Sequence, residues 1–92
     1  MEVNEKRAAL ACDVLLELAF ATDNFGPMRS AHEGYAILKE EVDELWEEVR
    51  KNPAKGPYQD QKQNEKERKK RMREEAIQVA AMAIRFIEDI CD

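Results

Sequence analysis

Residues that interrupt helices are scarce in this sequence, and their scarcity is the strongest constraint on its fold. The 92 residues contain only three Gly and three Pro. Turn signals concentrate at residues 22–27 and 52–57, where Gly and Pro occur beside Asn. Apolar residues elsewhere recur at helical spacing, and almost no β-branched alternation is present. The sequence therefore predicts an all-α fold, and its length predicts one small domain over residues 1–92.

Three helices are expected from the apolar positions and the breaks between them. Asn4 is a suitable N-cap for the first helix, because its side-chain oxygen can accept from a free backbone N–H. Ser30 has the same role for the second helix, with Glu33 three residues later completing a capping box. The expected spans are about residues 4–21, 30–50 and 60–91.

The third predicted helix changes character along its length. A polar insert over about residues 59–73 has one apolar residue, Met72, and is either a mobile linker or a solvated extension of the helix. From residue 74 to residue 91, apolar side chains cover most of the circumference. Two amphipathic helices of the same chain cannot cover such a surface completely. The sequence therefore predicts that a second subunit completes the helical bundle, in a dimer or a tetramer.

The composition restricts the partners and the compartment. The formal net charge of -5 disfavours duplex nucleic acid as a partner and suits a protein that concentrates divalent cations. No apolar stretch is long enough to span a bilayer. We therefore expect a cytoplasmic location and no membrane partner. Cys12 and Cys91 match no metal-binding spacing and are too few for a disulfide framework, so both are expected to be reduced thiols.

Two acidic stretches carry the strongest functional signal. The first has the sequence EEVDELWEE over residues 40–48, and the second begins with EEAIQ at residue 74 and continues into an apolar run. Carboxylates three residues apart lie on one face of a helix. Two such faces packed together would form an oxygen-rich site of the kind that Mg²⁺ prefers. This pattern indicates metal-dependent chemistry on a phosphate substrate.

The same stretches resemble those of a known protein family. The run ILKEEVDEL at residues 37–45, followed by EAIQV at residues 75–79, is similar to the MazG-like all-α nucleoside triphosphate pyrophosphohydrolases. The mark of that family is Glu-x-x-Glu on one helix and Glu-x-x-Asp on a later helix. The resemblance covers about residues 30–90 and implies a MazG-like helical bundle.

The resemblance also implies a set of site residues. The first motif is present as Glu41-x-x-Glu44 and the second as Glu75-x-x-Gln78, with Gln in the place of the family's Asp. By the resemblance, these four residues are ligands of Mg²⁺, or of Mn²⁺. The family cleaves nucleoside triphosphates between the α and β phosphates, giving the monophosphate and pyrophosphate. A nearby carboxylate is expected to accept the proton of the attacking water, and the candidates are Glu40 and Glu48.

Five further residues are candidates for substrate binding. Arg85 is at helical spacing from Glu75 and Gln78, so its guanidinium is expected either to reach a phosphate or to pair with a nearby carboxylate. Aromatic side chains and the single His could stack on a nucleobase, with a place in the core or at its rim as the alternative. These residues are Trp46, Tyr35, Phe25 and His32.

A basic run over residues 66–73 completes the candidate features. It could contact nucleic acid or a triphosphate tail, whereas the interleaved Glu residues favour a solvated helix with i,i+4 ion pairs. The first functional hypothesis is Mg²⁺-dependent hydrolysis of a (deoxy)nucleoside triphosphate. The alternatives are a catalytically weakened module that binds nucleotide or metal, and a structural helical dimer that docks a protein partner.

Overall fold

The computed structural model describes residues 4–92, and within that range the protein is helical, with no β-strand. The prediction of an all-α fold is therefore confirmed. No helix in the described range is long and apolar enough to cross a membrane. The elements are α1 (Glu5–Asn24), α2 (Ala31–Val49), a 3₁₀ turn (Pro53–Lys55), α3 (Gln61–Phe86) and a π-helical turn (Ile87–Cys91).

Side chains cap the starts of α1 and α2 as expected. The Asn4 side chain accepts a hydrogen bond from the Arg7 N–H at 2.9 Å, and Ser30 Oγ accepts from the Glu33 N–H at 3.1 Å. The Glu33 carboxylate differs from that of a standard capping box, because it accepts from the Arg29 N–H at 3.3 Å. Its other oxygen accepts from Arg29 Nε at 3.1 Å. The carboxylate therefore binds Arg29, the residue before the N-cap Ser30.

Helix α1 continues to Asn24, three residues beyond its expected end. Thr22 Oγ1 donates a hydrogen bond to the Leu18 carbonyl at 2.8 Å. Asn24 Nδ2 donates to the Phe20 carbonyl, also at 2.8 Å. Both polar side chains therefore bond to carbonyls of the preceding turn and do not draw the backbone into a turn. The chain leaves the helix at Phe25.

The polar insert forms the first half of α3. Asp60 caps this helix, because its carboxylate accepts from the Lys62 N–H at 2.9 Å. The sequence left open a mobile linker or a solvated extension of the helix, and the insert is helical from Gln61 onward. Most side chains of the insert are exposed, but Asn64 is only 6% exposed and Arg68 is partly buried. These two side chains attach the insert to the rest of the molecule.

The Asn64 side chain fixes the connection between α2 and α3. Its Oδ1 accepts from the Tyr58 N–H at 3.0 Å. Its Nδ2 donates to the carbonyls of Pro53 at 2.7 Å and Tyr58 at 2.8 Å. Gly56 permits this approach, since a Cβ at that position would collide with the Asn64 amide. The buried Asn64 amide therefore fixes the shape of the connection through hydrogen bonds to its backbone groups.

Helices α2 and α3 run antiparallel to each other. Gly34, near the start of α2, lies against the Phe86 ring at the end of α3, where an added Cβ would be 2.6 Å from a ring carbon. At the other end of the pair, Arg68 of α3 donates to the Val49 carbonyl at 2.6 Å. Residues between these two contacts face one another across a surface that we call the α2–α3 groove.

Helix α3 lies between the other two helices, and the core around it is small. Helices α1 and α2 pack mainly against α3 and little against each other. The radius of gyration is 15.5 Å, against about 12 Å expected for a compact chain of this length. The accessible surface is 7131 Å², against about 5500 Å² expected for 10.7 kDa. The buried apolar side chains of the described range are Leu18, Ala21, Met28, Ala81 and Met82.

Candidate metal centre

Three carboxylates from two helices converge in the α2–α3 groove. Glu41 and Glu44 are one helical turn apart on α2, and Glu75 faces them from α3. One carboxylate oxygen of each residue lies within 4.8 Å of the others. We call these three residues the carboxylate cluster. The structure thus brings together three of the four sequence-predicted ligands, and their hard oxygen donors suit Mg²⁺ or Mn²⁺ better than a soft ion.

Burial and nearby negative charges raise the pKa values of two members of the carboxylate cluster, Glu41 and Glu75. Removal from water is the largest cause for Glu41, whose pKa rises to about 7. The negative charges of Glu44, Glu75 and Glu40 add to this shift. Burial also raises the pKa of Glu75, with contributions from the charges of Glu44 and Glu48. Glu41 and Glu75 therefore retain a proton more readily than isolated carboxylates do, and a divalent cation would relieve the same repulsion.

One carboxylate oxygen in the cluster lacks a partner. Oε2 of Glu75 is shielded from solvent and accepts no hydrogen bond from any described residue, although the Glu44 carboxylate lies close enough to share a proton with the Glu75 side chain. No Lys or Arg of residues 4–92 forms an ion pair with any of the three carboxylates. A buried anionic oxygen without a donor is costly, whereas a cation at the same place would satisfy it. The residues that are present therefore fit a divalent cation.

The two candidate proton acceptors have different surroundings. The Glu48 side chain is only 14% exposed and pairs with Lys51 at 2.8 Å. Its charge helps to raise the pKa of Glu75, so it borders the carboxylate cluster. Glu40 is exposed, and its charge contributes to the raised pKa of the adjacent Glu41. Of the two candidates, Glu48 is the one that the groove encloses.

Gln78 follows Glu75 by one helical turn and borders a different opening. This opening lies between α1 and α3, where Gln78 has Asp13 and Glu17 of α1 as neighbours. Glu74 of α3 lines the same opening. Gln78, at the fourth ligand position that the resemblance implies, therefore borders the acidic side of α1.

Arg85 is bound to the connection between α1 and α2. The residue is 5% exposed, and its guanidinium donates to the carbonyl oxygens of Phe25, at 3.1 Å, and Gly26. It also pairs with Asp89 at 3.5 Å. Asp89 in turn accepts from the Met28 N–H at 2.9 Å. The sequence left two roles open for Arg85, contact with a phosphate and an ion pair. In the structure Arg85 forms the ion pair with Asp89, and its guanidinium points to the α1–α2 connection.

The stacking candidates are not brought to the carboxylate cluster within the described chain. Trp46 follows Glu41 by five residues, which places the two about 140° apart around α2. Tyr35 shares the outward face of Trp46, and the two are 62% and 58% exposed. His32 is exposed on the same helix, and Phe25 is 62% exposed in the α1–α2 connection.

A cleft at the end of the α2–α3 groove was missed by the sequence analysis. Residues 51–58 of the connection and residues 64–71 of α3 form this cleft, which we call the basic cleft. Its cations include Arg68 and Arg71 of the basic run, for which the sequence left open contact with nucleic acid or a triphosphate tail and favoured a solvated helix. The sequence signal for this cleft was the helical spacing of Arg68, Arg71 and Glu75. That spacing puts two basic residues on the same face of α3 as a cluster carboxylate.

Comparisons with known proteins identify no relative of this chain: no family model matches it, and no curated protein or solved structure does. The likeness to the MazG-like proteins is carried by two short motifs. The function is therefore argued from the residues of this chain and from their arrangement.

Proposed function

We propose that this protein hydrolyses a nucleoside triphosphate to the monophosphate and pyrophosphate with Mg²⁺, as the MazG-like pyrophosphohydrolases do. The observation that carries the proposal is the convergence of Glu41, Glu44 and Glu75, with Glu75 Oε2 buried and unpaired. A cation at this site would neutralise phosphate oxygens and activate water for attack. Mn²⁺ prefers similar oxygen ligands and is expected to substitute for Mg²⁺.

The side chains of the groove have distinct roles in this proposal. Glu48 accepts the proton of the attacking water, because it is the acceptor candidate that borders the carboxylate cluster. Glu40 is the second candidate for that role. Arg85 stabilises the α1–α2 connection and does not bind the substrate, since its guanidinium already has acceptors there. Glu41, Glu44 and Glu75 would hold the cation, with Gln78 at the fourth position of the motif.

Pyrophosphate release tests the proposed reaction directly. A panel of canonical and modified nucleoside and deoxynucleoside triphosphates is incubated with the protein in millimolar Mg²⁺ and in EDTA. We expect release of monophosphate and pyrophosphate from at least one of them in Mg²⁺ and from none in EDTA. Binding of a triphosphate without release would assign the protein to the non-catalytic alternative. Metal-independent release, or neither binding nor release, would contradict the proposal.

We also propose that a second copy of the chain covers part of its apolar surface. Leu15, Leu16 and Phe20 of α1 are 57%, 65% and 57% exposed, and Trp46 of α2 is 58% exposed. The large radius of gyration and accessible surface support the same proposal. Exposed apolar side chains that lie close together, such as Leu16 and Phe20 one helical turn apart on α1, are typical of an interface. The expected assembly is a dimer or a tetramer.

Charges at exposed apolar positions of α1 are expected to separate the subunits. Leu16 and Phe20 lie on the opposite side of α1 from the buried Leu18 and line the opening between α1 and α3, so Leu16→Glu with Phe20→Glu adds charge at that opening without entering the core. Sedimentation at micromolar concentration should show an oligomer for the wild type and a monomer for the variant. Circular dichroism should show the same helical content for both. A wild-type protein that sediments as a folded monomer would contradict the proposal.

A further inference from the structure

The basic cleft lies where the α2–α3 connection folds back onto α3. Its volume is about 440 Å³, within the range of about 300–1,000 Å³ that is typical of small-molecule sites. Hydrogen bonds from the Asn64 amide to Pro53 and Tyr58 hold its rim in place. Tyr58, which is 49% exposed, forms an aromatic part of the wall. The cleft is therefore formed before any ligand enters it.

Two cations of the basic cleft have no partner among the described residues. Four basic side chains line the cleft, together with two carboxylates. Lys51 and Arg68 each pair with a carboxylate one helical turn away, at 2.8 and 3.1 Å. Lys55 and Arg71 make no ion pair or side-chain hydrogen bond within residues 4–92. The lining carboxylate Glu67 forms no ion pair within the described chain and offsets one of these two charges, so the cleft retains a net positive charge in a chain whose net charge is -5.

The Arg68 guanidinium also has a donor that the chain does not use. Its terminal nitrogens donate to the Glu65 carboxylate at 3.1 Å and to the Val49 carbonyl at 2.6 Å. Its Nε is shielded from solvent and has no acceptor among the described residues. A buried N–H without an acceptor is unfavourable, and an oxyanion beside it would supply one.

We propose that the basic cleft binds a diphosphate group on Lys55 and Arg71, without requiring a metal ion. Phosphate oxygens accept charge-assisted hydrogen bonds from Lys and Arg, and the two unpaired cations match the two phosphates. The paired Lys51 and Arg68 hold the walls of the cleft. Free pyrophosphate and the tail of a nucleotide share this chemistry, so both are sources of the ligand.

The position of the cleft connects it with the carboxylate cluster. Glu48 lines the cleft, and its charge also acts on Glu75. Arg71 precedes Glu75 by one turn of α3, a rise of about 6 Å. A triphosphate with its α phosphate beside the carboxylates would therefore extend its terminal phosphates into the cleft. This step rests on the proposed function, whereas diphosphate binding by the cleft does not.

Titration calorimetry in EDTA tests the binding, with inorganic pyrophosphate, a nucleoside diphosphate and a nucleoside monophosphate as probes. We expect saturable binding of a diphosphate probe and much weaker binding of the monophosphate. Lys55→Gln with Arg71→Gln is expected to weaken that binding about 100-fold, since each lost charge-assisted contact contributes about tenfold. Binding of pyrophosphate alone identifies the free anion as the source, and binding that requires the nucleoside identifies the nucleotide tail.

Lys69→Gln with Lys70→Gln is the matched control. Both residues are exposed on α3, neither lines the cleft, and the change in net charge is the same. This control is expected to retain wild-type affinity within about twofold, because neither side chain lines the cleft and solvent weakens the interaction of exposed charges. The proposal is overturned if no diphosphate probe binds saturably, if the control loses as much affinity, or if the monophosphate binds equally well.

Failure of the cleft and failure of the proposed hydrolysis give different results. Glu41→Gln with Glu44→Gln removes cluster carboxylates that do not line the basic cleft. This variant is expected to bind the diphosphate probe in EDTA as the wild type does. Diphosphate binding by a wild-type protein that releases no pyrophosphate in Mg²⁺ would support the cleft and contradict only the hydrolysis.

Discussion

Mg²⁺ or Mn²⁺ is expected to raise the melting temperature of the wild-type protein and to leave that of the Glu41→Gln/Glu44→Gln variant unchanged. A cation that binds only the folded cluster stabilises it by about 1.4 kcal/mol at ten times its Kd, or about 6–11 °C for a domain of this size. The variant loses two of the three anionic ligands. Its pyrophosphate release is expected to fall more than about 100-fold, because even the outer partners of metal ligands contribute about 10–100-fold.

In the absence of metal, the same substitutions are expected to change how the melting temperature depends on pH. The folded protein raises the pKa of Glu41 from 4.5 to about 7, so it binds this proton more tightly than the unfolded chain does. The resulting stabilisation is fully present below a pH of about 4.5 and is lost as the pH rises to about 7. Gln has no such titration. In EDTA, the melting temperature of the wild type should therefore fall as the pH rises through this window. The melting temperature of the variant should fall less.

Asp43→Asn with Glu47→Gln is the matched control for both measurements. These residues are exposed on the same helix and pair with Lys39 at 2.9 Å and Arg50 at 2.7 Å. Exposed ion pairs contribute only about 0–1 kcal/mol, so this control is expected to retain the response to metal. A wild-type melting temperature that neither cation changes, or an equal response in the Glu41→Gln/Glu44→Gln variant, would show that the cluster does not bind a cation.

Local patterns in the sequence were sufficient for the helices and for most of the carboxylate cluster. The caps formed by Asn4 and Ser30 depend on residues three positions away. The shared face of Glu41 and Glu44 follows from helix geometry alone. Glu75 was placed with them by the resemblance to the MazG-like motifs, and its position at the start of the apolar part of α3 is consistent with a side that meets a partner helix.

Contacts between distant residues account for what the sequence analysis could not provide. The acceptors of Arg85 are carbonyls 59 and 60 residues earlier in the chain, and no local pattern identifies them. The basic cleft likewise depends on Asn64, whose amide binds the backbone of the preceding connection. Trp46 is a different case, since helix geometry alone would have placed it on the face of α2 opposite to Glu41.

Gln78→Asp is expected to lower the Mg²⁺ concentration needed for half-maximal pyrophosphate release by about tenfold. A second anion one turn from Glu75 would increase the attraction for a dication. Tenfold corresponds to about 1.4 kcal/mol, well below the roughly 4 kcal/mol of two unit charges about 4 Å apart near a protein surface. If the wild type has no turnover, the substitution is expected to create it, which would assign the wild type to the catalytically weakened alternative.

The surroundings of Gln78 define the opposite result. Asp13, Glu17 and Glu74 line the same opening, so a carboxylate that faced them instead of the cation would be repelled. The Asp variant would then melt at a lower temperature in EDTA and require more Mg²⁺. Gln78→Ala is the matched control, because it removes the amide without adding a charge, and a ligand role predicts weaker metal binding. A destabilised Asp variant and an unchanged Mg²⁺ response in the Ala variant would together limit the metal centre to Glu41, Glu44 and Glu75.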